Sequence, residues 1–104
     1  MMTEARVKML ISYDVVAELQ QAYYEFVLGE MIPTAQSMGL QLNEAWHTAY
    51  GEYPIRLNGF VAKDRATLDR ILASAEWKSL EEKLKRFVTE YQRKIIPYRE
   101  GFQF

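Results

Sequence analysis

No cysteine occurs in the 104 residues, which excludes disulfides, thiolate metal sites, cysteine nucleophiles and thiol redox chemistry together. Histidine is present once, as His47, too few for a metal site built of imidazoles within one chain. Neither sign of charge dominates, with 13 Lys and Arg against 14 Asp and Glu. That balance offers no basic field for nucleic acid. No apolar run exceeds about four residues, far short of the ~18–20 that span a bilayer. The opening Met1-Met2-Thr3-Glu4-Ala5-Arg6-Val7 lacks a basic segment leading into an apolar core, so no secretory leader is expected. A cytoplasmic protein with neither nucleic acid nor membrane as partner fits these absences. Linkers, repeats and low-complexity stretches are also missing, so residues 1–104 are expected to form one domain.

What is present is an ordinary globular mix, 49% hydrophobic and 26% charged. Val7, Met9, Ile11 and Tyr13 alternate with Lys8, Leu10 and Ser12, which predicts a strand. From about Val16 to Met38 the stripe Leu19, Tyr23, Phe26, Val27, Met31, Ala35 predicts a long helix. Pro33 lies inside it and would clash with the carbonyl of Gly29, so a kink near Gly29 is expected. Gly39 is placed to end that helix. Leu42–Tyr50 and Ile55–Ala62 flank Gly51-Glu52-Tyr53-Pro54 and read as a hairpin. Asp64 caps a second helical region that Ser74 interrupts with a fresh cap. Helical spacing then continues through Trp77, Leu80, Leu84, Phe87, Val88 and Tyr91. Lys94–Tyr98 either ends that helix or forms a short last strand, which Pro97 would confine to a sheet edge.

The order βαββαβ is the ferredoxin-like plan, an α+β fold with helices on one face of a four-stranded antiparallel sheet. The chain resembles the dimeric α/β-barrel superfamily, and within it the NIPSNAP-like group. The resemblance rests on element order and length, on the Asp64…Leu68…Leu72 helix start and on Ser74-Ala75-Glu76-Trp77…Leu80. It implies a homodimer in which two sheets close face to face. It also implies a small organic ligand at the barrel or its mouth. The lack of Cys and of metal-ligand spacing suits chemistry by the substrate's own reactivity, so no cofactor is expected.

Hairpin register decides which side chains meet such a ligand. A two- or four-residue turn, with Trp46 across from Gly59, puts Lys8, Leu10, Ser12, Ala45, His47, Ala49, Arg56, Asn58 and Phe60 on the face away from the helices. A three-residue turn brings in Trp46, Tyr50 and Glu44 and removes His47. On the first register His47 is the candidate general base or proton shuttle, oriented by Asn58 or Arg56. Arg56 with Lys8 would hold an anionic group. Ser12, Asn58 and Phe60 complete the ligand set, and Tyr13 stands at the mouth. The expected function is binding or processing of a small, anionic organic molecule, as a cofactor-free monooxygenase or isomerase. The alternative is a non-catalytic interaction module whose barrel is filled by side chains. Each of His47, Arg56 and the tyrosines also has a plain structural reading, as a bonded strand residue, an ion-pair partner or a half-buried rim residue.

Overall fold

The computed structural model describes residues 6–50 and 53–98, with side chains described at all of these except 44–50, 53–55 and 57. β1 (Val7–Val15) leads through a 3₁₀ turn, Ala17–Leu19, into α1 (Gln20–Phe26). A π turn, Val27–Met31, joins α1 to α2 (Ile32–Met38). The π turn is the kink that Pro33 demands. The Ile32 N–H bonds the carbonyl of Val27, five residues back, so the wider turn passes the proline ring without breaking the helical path. Gly39 closes α2 at φ 110°, where a Cβ would be strained. Its N–H reaches Gln36 O, and the Leu40 N–H reaches Ala35 O at 3.0 Å.

β2 (Gln41–Tyr50) and β3 (Tyr53–Ala62) follow, then α3 (Arg65–Ala73), α4 (Ala75–Lys85) and β4 (Val88–Pro97). The strands form one antiparallel sheet in the order β2-β3-β1-β4, which is the ferredoxin-like order. Asp64 accepts from Thr67 N at 2.7 Å and opens α3. Ser74 Oγ accepts from Trp77 N at 3.1 Å and opens α4. Ser74→Ala is therefore expected to cost about 1 kcal/mol, the usual value of an N-cap, read as a shift of the urea midpoint without change of slope.

Two expectations are corrected. The last helix ends at Lys85 and the last strand is ten residues long, not a short Lys94–Tyr98 piece. Glu90 sits at φ 56° in a bulge opposite Tyr13. The extra residue sets Val88 and Tyr91 on one side of the strand although they are three apart, which imitates helical spacing. The second correction concerns β3. In the β1–β3 ladder Arg56 lies opposite Tyr13, Asn58 opposite Ile11 and Phe60 opposite Met9. Directly opposed residues share a face, so Arg56, Asn58 and Phe60 face the helices, not the outer side. Phe60 decides the choice. It packs at 1% exposure into the core with Met9, Ile11, Tyr13, Tyr23, Leu68 and Trp77, a place Gly59 could not fill.

The outer face keeps Lys8, Leu10 and Ser12, as expected from β1. Lys8, Leu10 and Val61 are nevertheless buried within the single chain, at 0%, 6% and 6% exposure.

Candidate site on the helix side of the sheet

The end of the β1–β3 ladder carries a polar cluster inside an otherwise apolar core. β1 supplies Tyr13 and β3 supplies Arg56 and Asn58 on the same face. α1 lowers Tyr23 and Tyr24 onto them, because its apolar stripe must pack against β1. The hydroxyls of Tyr13 and Tyr23 lie 2.6 Å apart. Asn58 Nδ2 donates to Tyr13 Oη at 2.6 Å. Arg56 Nη2 donates to Tyr24 Oη. The guanidinium carbon is 6.0 Å from the Tyr23 ring centre and 5.4 Å from that of Tyr24, within the range of a cation–π contact.

Tyr13 continues the cluster toward β4. Its ring lies parallel to Tyr91 at 6.4 Å. Tyr91 Oη donates to Glu81 Oε2 at 2.6 Å, and Arg93 Nη1 donates to the same oxygen at 2.7 Å. Glu81 is thus provided with its cation, whereas Arg56 has no anion among the described residues. Arg56 is 5% exposed, and its Nη1 is buried without a hydrogen-bond partner. Among the described residues the ion pairs are Arg65–Asp69, Lys83–Glu30 and Arg93–Glu81, and none reaches Arg56. Removing a charge from water costs several kcal/mol even after relaxation, so an uncompensated guanidinium is the feature of this fold most in need of an explanation.

Burial, more than any neighbour, pushes the Tyr13 phenol well above its ordinary range, and Tyr23 also rises, chiefly from burial. Tyr91 is raised by burial and then by its bond to the Glu81 carboxylate. A phenol with a raised folded pKa favours the fold below the unfolded value near 10, and that advantage is lost as pH climbs past it. Alkaline difference absorbance should therefore show Tyr13, Tyr23 and Tyr91, of the seven tyrosines, ionising only as the protein unfolds.

Of the residues singled out in the sequence, the structure brings Tyr13, Arg56 and Asn58 together. Phe60 is in the core beneath them, and Lys8 and Ser12 are on the opposite face. His47 lies opposite Arg56 in the β2–β3 ladder, while Trp46 lies opposite Leu57 and Glu44 opposite Gly59. The side chains of His47, Trp46, Tyr50 and Glu44 are outside the described residues. The sequence places Tyr23 in the helical stripe and does not single out Tyr24. Their one distinguishing signal is that adjacent helix positions cannot both point into a core, and Tyr24 is 40% exposed. A separate groove of about 580 Å³ runs between α1, the π turn and α4. Its Lys83 and Glu30 already pair across it at 2.6 Å. No group of three potential metal-ligating side chains occurs among the described residues. No helix among them is long and apolar enough to cross a membrane.

The architecture has close counterparts among solved structures. An Agrobacterium tumefaciens NIPSNAP family protein superposes with a TM-score of 0.68 at 16% identity, over 96% of this chain and 91% of that one. An uncharacterized NIPSNAP-like domain protein from Burkholderia xenovorans gives 0.70 at 16% identity, over 96% and 90%. The fold is that of the NIPSNAP structures. A Nitrosomonas europaea protein provisionally assigned as an antibiotic biosynthesis monooxygenase gives 0.65 at 11% identity, over 94% and 92%. No protein-family model matches the sequence, and no curated protein is significantly similar to it.

Proposed function

We propose that the protein binds a small organic anion at Arg56, on the side of the sheet that faces α1. The supporting observation is a guanidinium buried to 5% exposure with Nη1 unspent and no carboxylate partner among the described residues. A charged hydrogen bond in such surroundings is stronger than a neutral one, and the anion supplies the compensation that the fold omits. NIPSNAP-like kinship and the likeness to a provisionally assigned monooxygenase favour an enzymatic version. There the substrate ionises to an enolate that Arg56 stabilises. The enolate then either takes its proton back at another atom, an isomerisation, or is oxidised by molecular oxygen, the reacting CH2 carbon losing both hydrogens and gaining one oxygen atom as a carbonyl while the other oxygen leaves as water. His47, opposite Arg56 in register, is the proposed proton acceptor.

Burial of Phe60 and Leu10, at 1% and 6% exposure, favours the second reading, a packed interaction module that takes no ligand. Calorimetric titration with benzoate separates the two. Arg56→Met should weaken benzoate by about ten-fold or more, as expected for loss of a hydrogen bond to a charged group. Binding by neither protein would leave the packed module, and equal binding by both would place the anion away from Arg56 and overturn the proposed site.

A further inference from the structure

The hydroxyls beside Arg56 carry more protons than they have acceptors. Tyr13 Oη receives a proton from Asn58 Nδ2 and shares one hydroxyl proton with Tyr23 Oη across 2.6 Å. Two phenols bring two hydroxyl protons, so one of them has no acceptor among the described residues. An oxygen that already accepts from an amide becomes the better donor. That directs the Tyr13 proton onto Tyr23 and leaves the Tyr23 proton unspent. Tyr23 is also the member of the pair whose ring centre stands 6.0 Å from the Arg56 guanidinium. Both its hydroxyl and Arg56 Nη1 are therefore donors without acceptors among the described residues, on side chains of 3% and 5% exposure.

We infer that Tyr23 is the second anchor for the anion, donating its hydroxyl proton to the oxyanion that Arg56 Nη1 also holds. Tyr13 and Asn58 act through Tyr23 and are positioning residues. One cation with neutral donors suits a monoanion. The ligand class is a planar organic monoanion, either a carboxylate or the enolate of a carbonyl compound, in preference to inorganic phosphate. This inference rests on the reading of Arg56 as an anion site.

The test uses the full chain, with benzoate, acetylacetone and inorganic phosphate as probes, and compares wild type with Tyr23→Phe, Tyr13→Phe and Arg56→Met. Tyr23→Phe should weaken benzoate by about ten-fold or more with the far-ultraviolet spectrum unchanged. The wild type should raise the enolate absorbance of acetylacetone at fixed pH. Tyr23→Phe and Tyr13→Phe should both reduce that rise, which a purely structural role for Tyr13 would not do. Benzoate binding without the enolate signal assigns the site to carboxylates, and the enolate signal assigns it to carbonyl compounds. Phosphate binding as tightly as benzoate would overturn the planar monoanion. Full benzoate affinity in Tyr23→Phe, with loss in Arg56→Met, would remove the second anchor and leave the anion site standing. Full affinity in both variants would remove both.

Discussion

Trp77→Ala should lower the stability of the protein by about 3–5 kcal/mol, the range for deleting a buried aromatic ring. The residue is at 0% exposure in the core with Leu68, Leu80 and Leu84. It also stands in the first turn of α4, where its own N–H is the one that Ser74 caps at 3.1 Å. The substitution opens a cavity at the point where α4 is held to the sheet. A domain of this size has only ~5–15 kcal/mol in all, so the urea midpoint should fall by about a fifth or more. Trp77→Phe supplies the control. Trp77 Nε1 is buried without a hydrogen-bond partner, so phenylalanine discards an unsatisfied donor while keeping most of the ring. A much smaller loss is expected, and a loss equal to that of alanine would contradict the packing argument.

Arg56→Met should act with the opposite sign. A paired buried charge loses ~3–5 kcal/mol of stability when its partner is removed, whereas replacing a buried ionic group by an apolar side chain of similar length is often stabilising by ~1–4 kcal/mol. Arg56 has no carboxylate among the described residues and gives up only its bond to the half-exposed Tyr24 and two ring contacts. At 6.0 and 5.4 Å both contacts are near the outer limit of a cation–π interaction, worth ~0.5 kcal/mol each, which brings the expected gain to the lower part of that range. Thermal and urea unfolding in an anion-poor buffer should show a variant more stable than the wild type and unable to hold benzoate. Such a pairing of lost binding with gained stability is the signature of a group kept for function at the expense of the fold.

The parts legible in the sequence are those fixed by local chemistry. Asp64 and Ser74 announce helix starts because a short acceptor side chain must meet an orphan N–H three residues on. Pro33 announces a distortion because its ring collides with a fixed carbonyl, and Gly39 announces a left-handed end. The parts that were not legible depend on partners distant in the chain. Val88 and Tyr91 are three apart in either a helix or a bulged strand, and only pairing with β1 selects the strand. β3 is equally ambiguous, since Leu57 and Val61 on one face and Phe60 and Ala62 on the other are both apolar. Only the opposition of Phe60 to Met9 fixes which way Arg56 points. The residues Arg56, Asn58 and Tyr13 could thus be gathered from the sequence while their side of the sheet could not. Tyr23 and Tyr24 join them solely because α1 crosses that end of β1.

The central claim is that Arg56 is a buried cation awaiting an anion. The most direct measurement is the urea midpoint of wild type and Arg56→Met, each with and without saturating benzoate. The expected result is that the variant is the more stable without benzoate, that benzoate raises the midpoint of the wild type alone, and that the gap between the two narrows or reverses. A variant less stable than wild type by ~3–5 kcal/mol without benzoate, with benzoate moving both proteins equally or neither, would show Arg56 to be a compensated structural charge and would contradict the account.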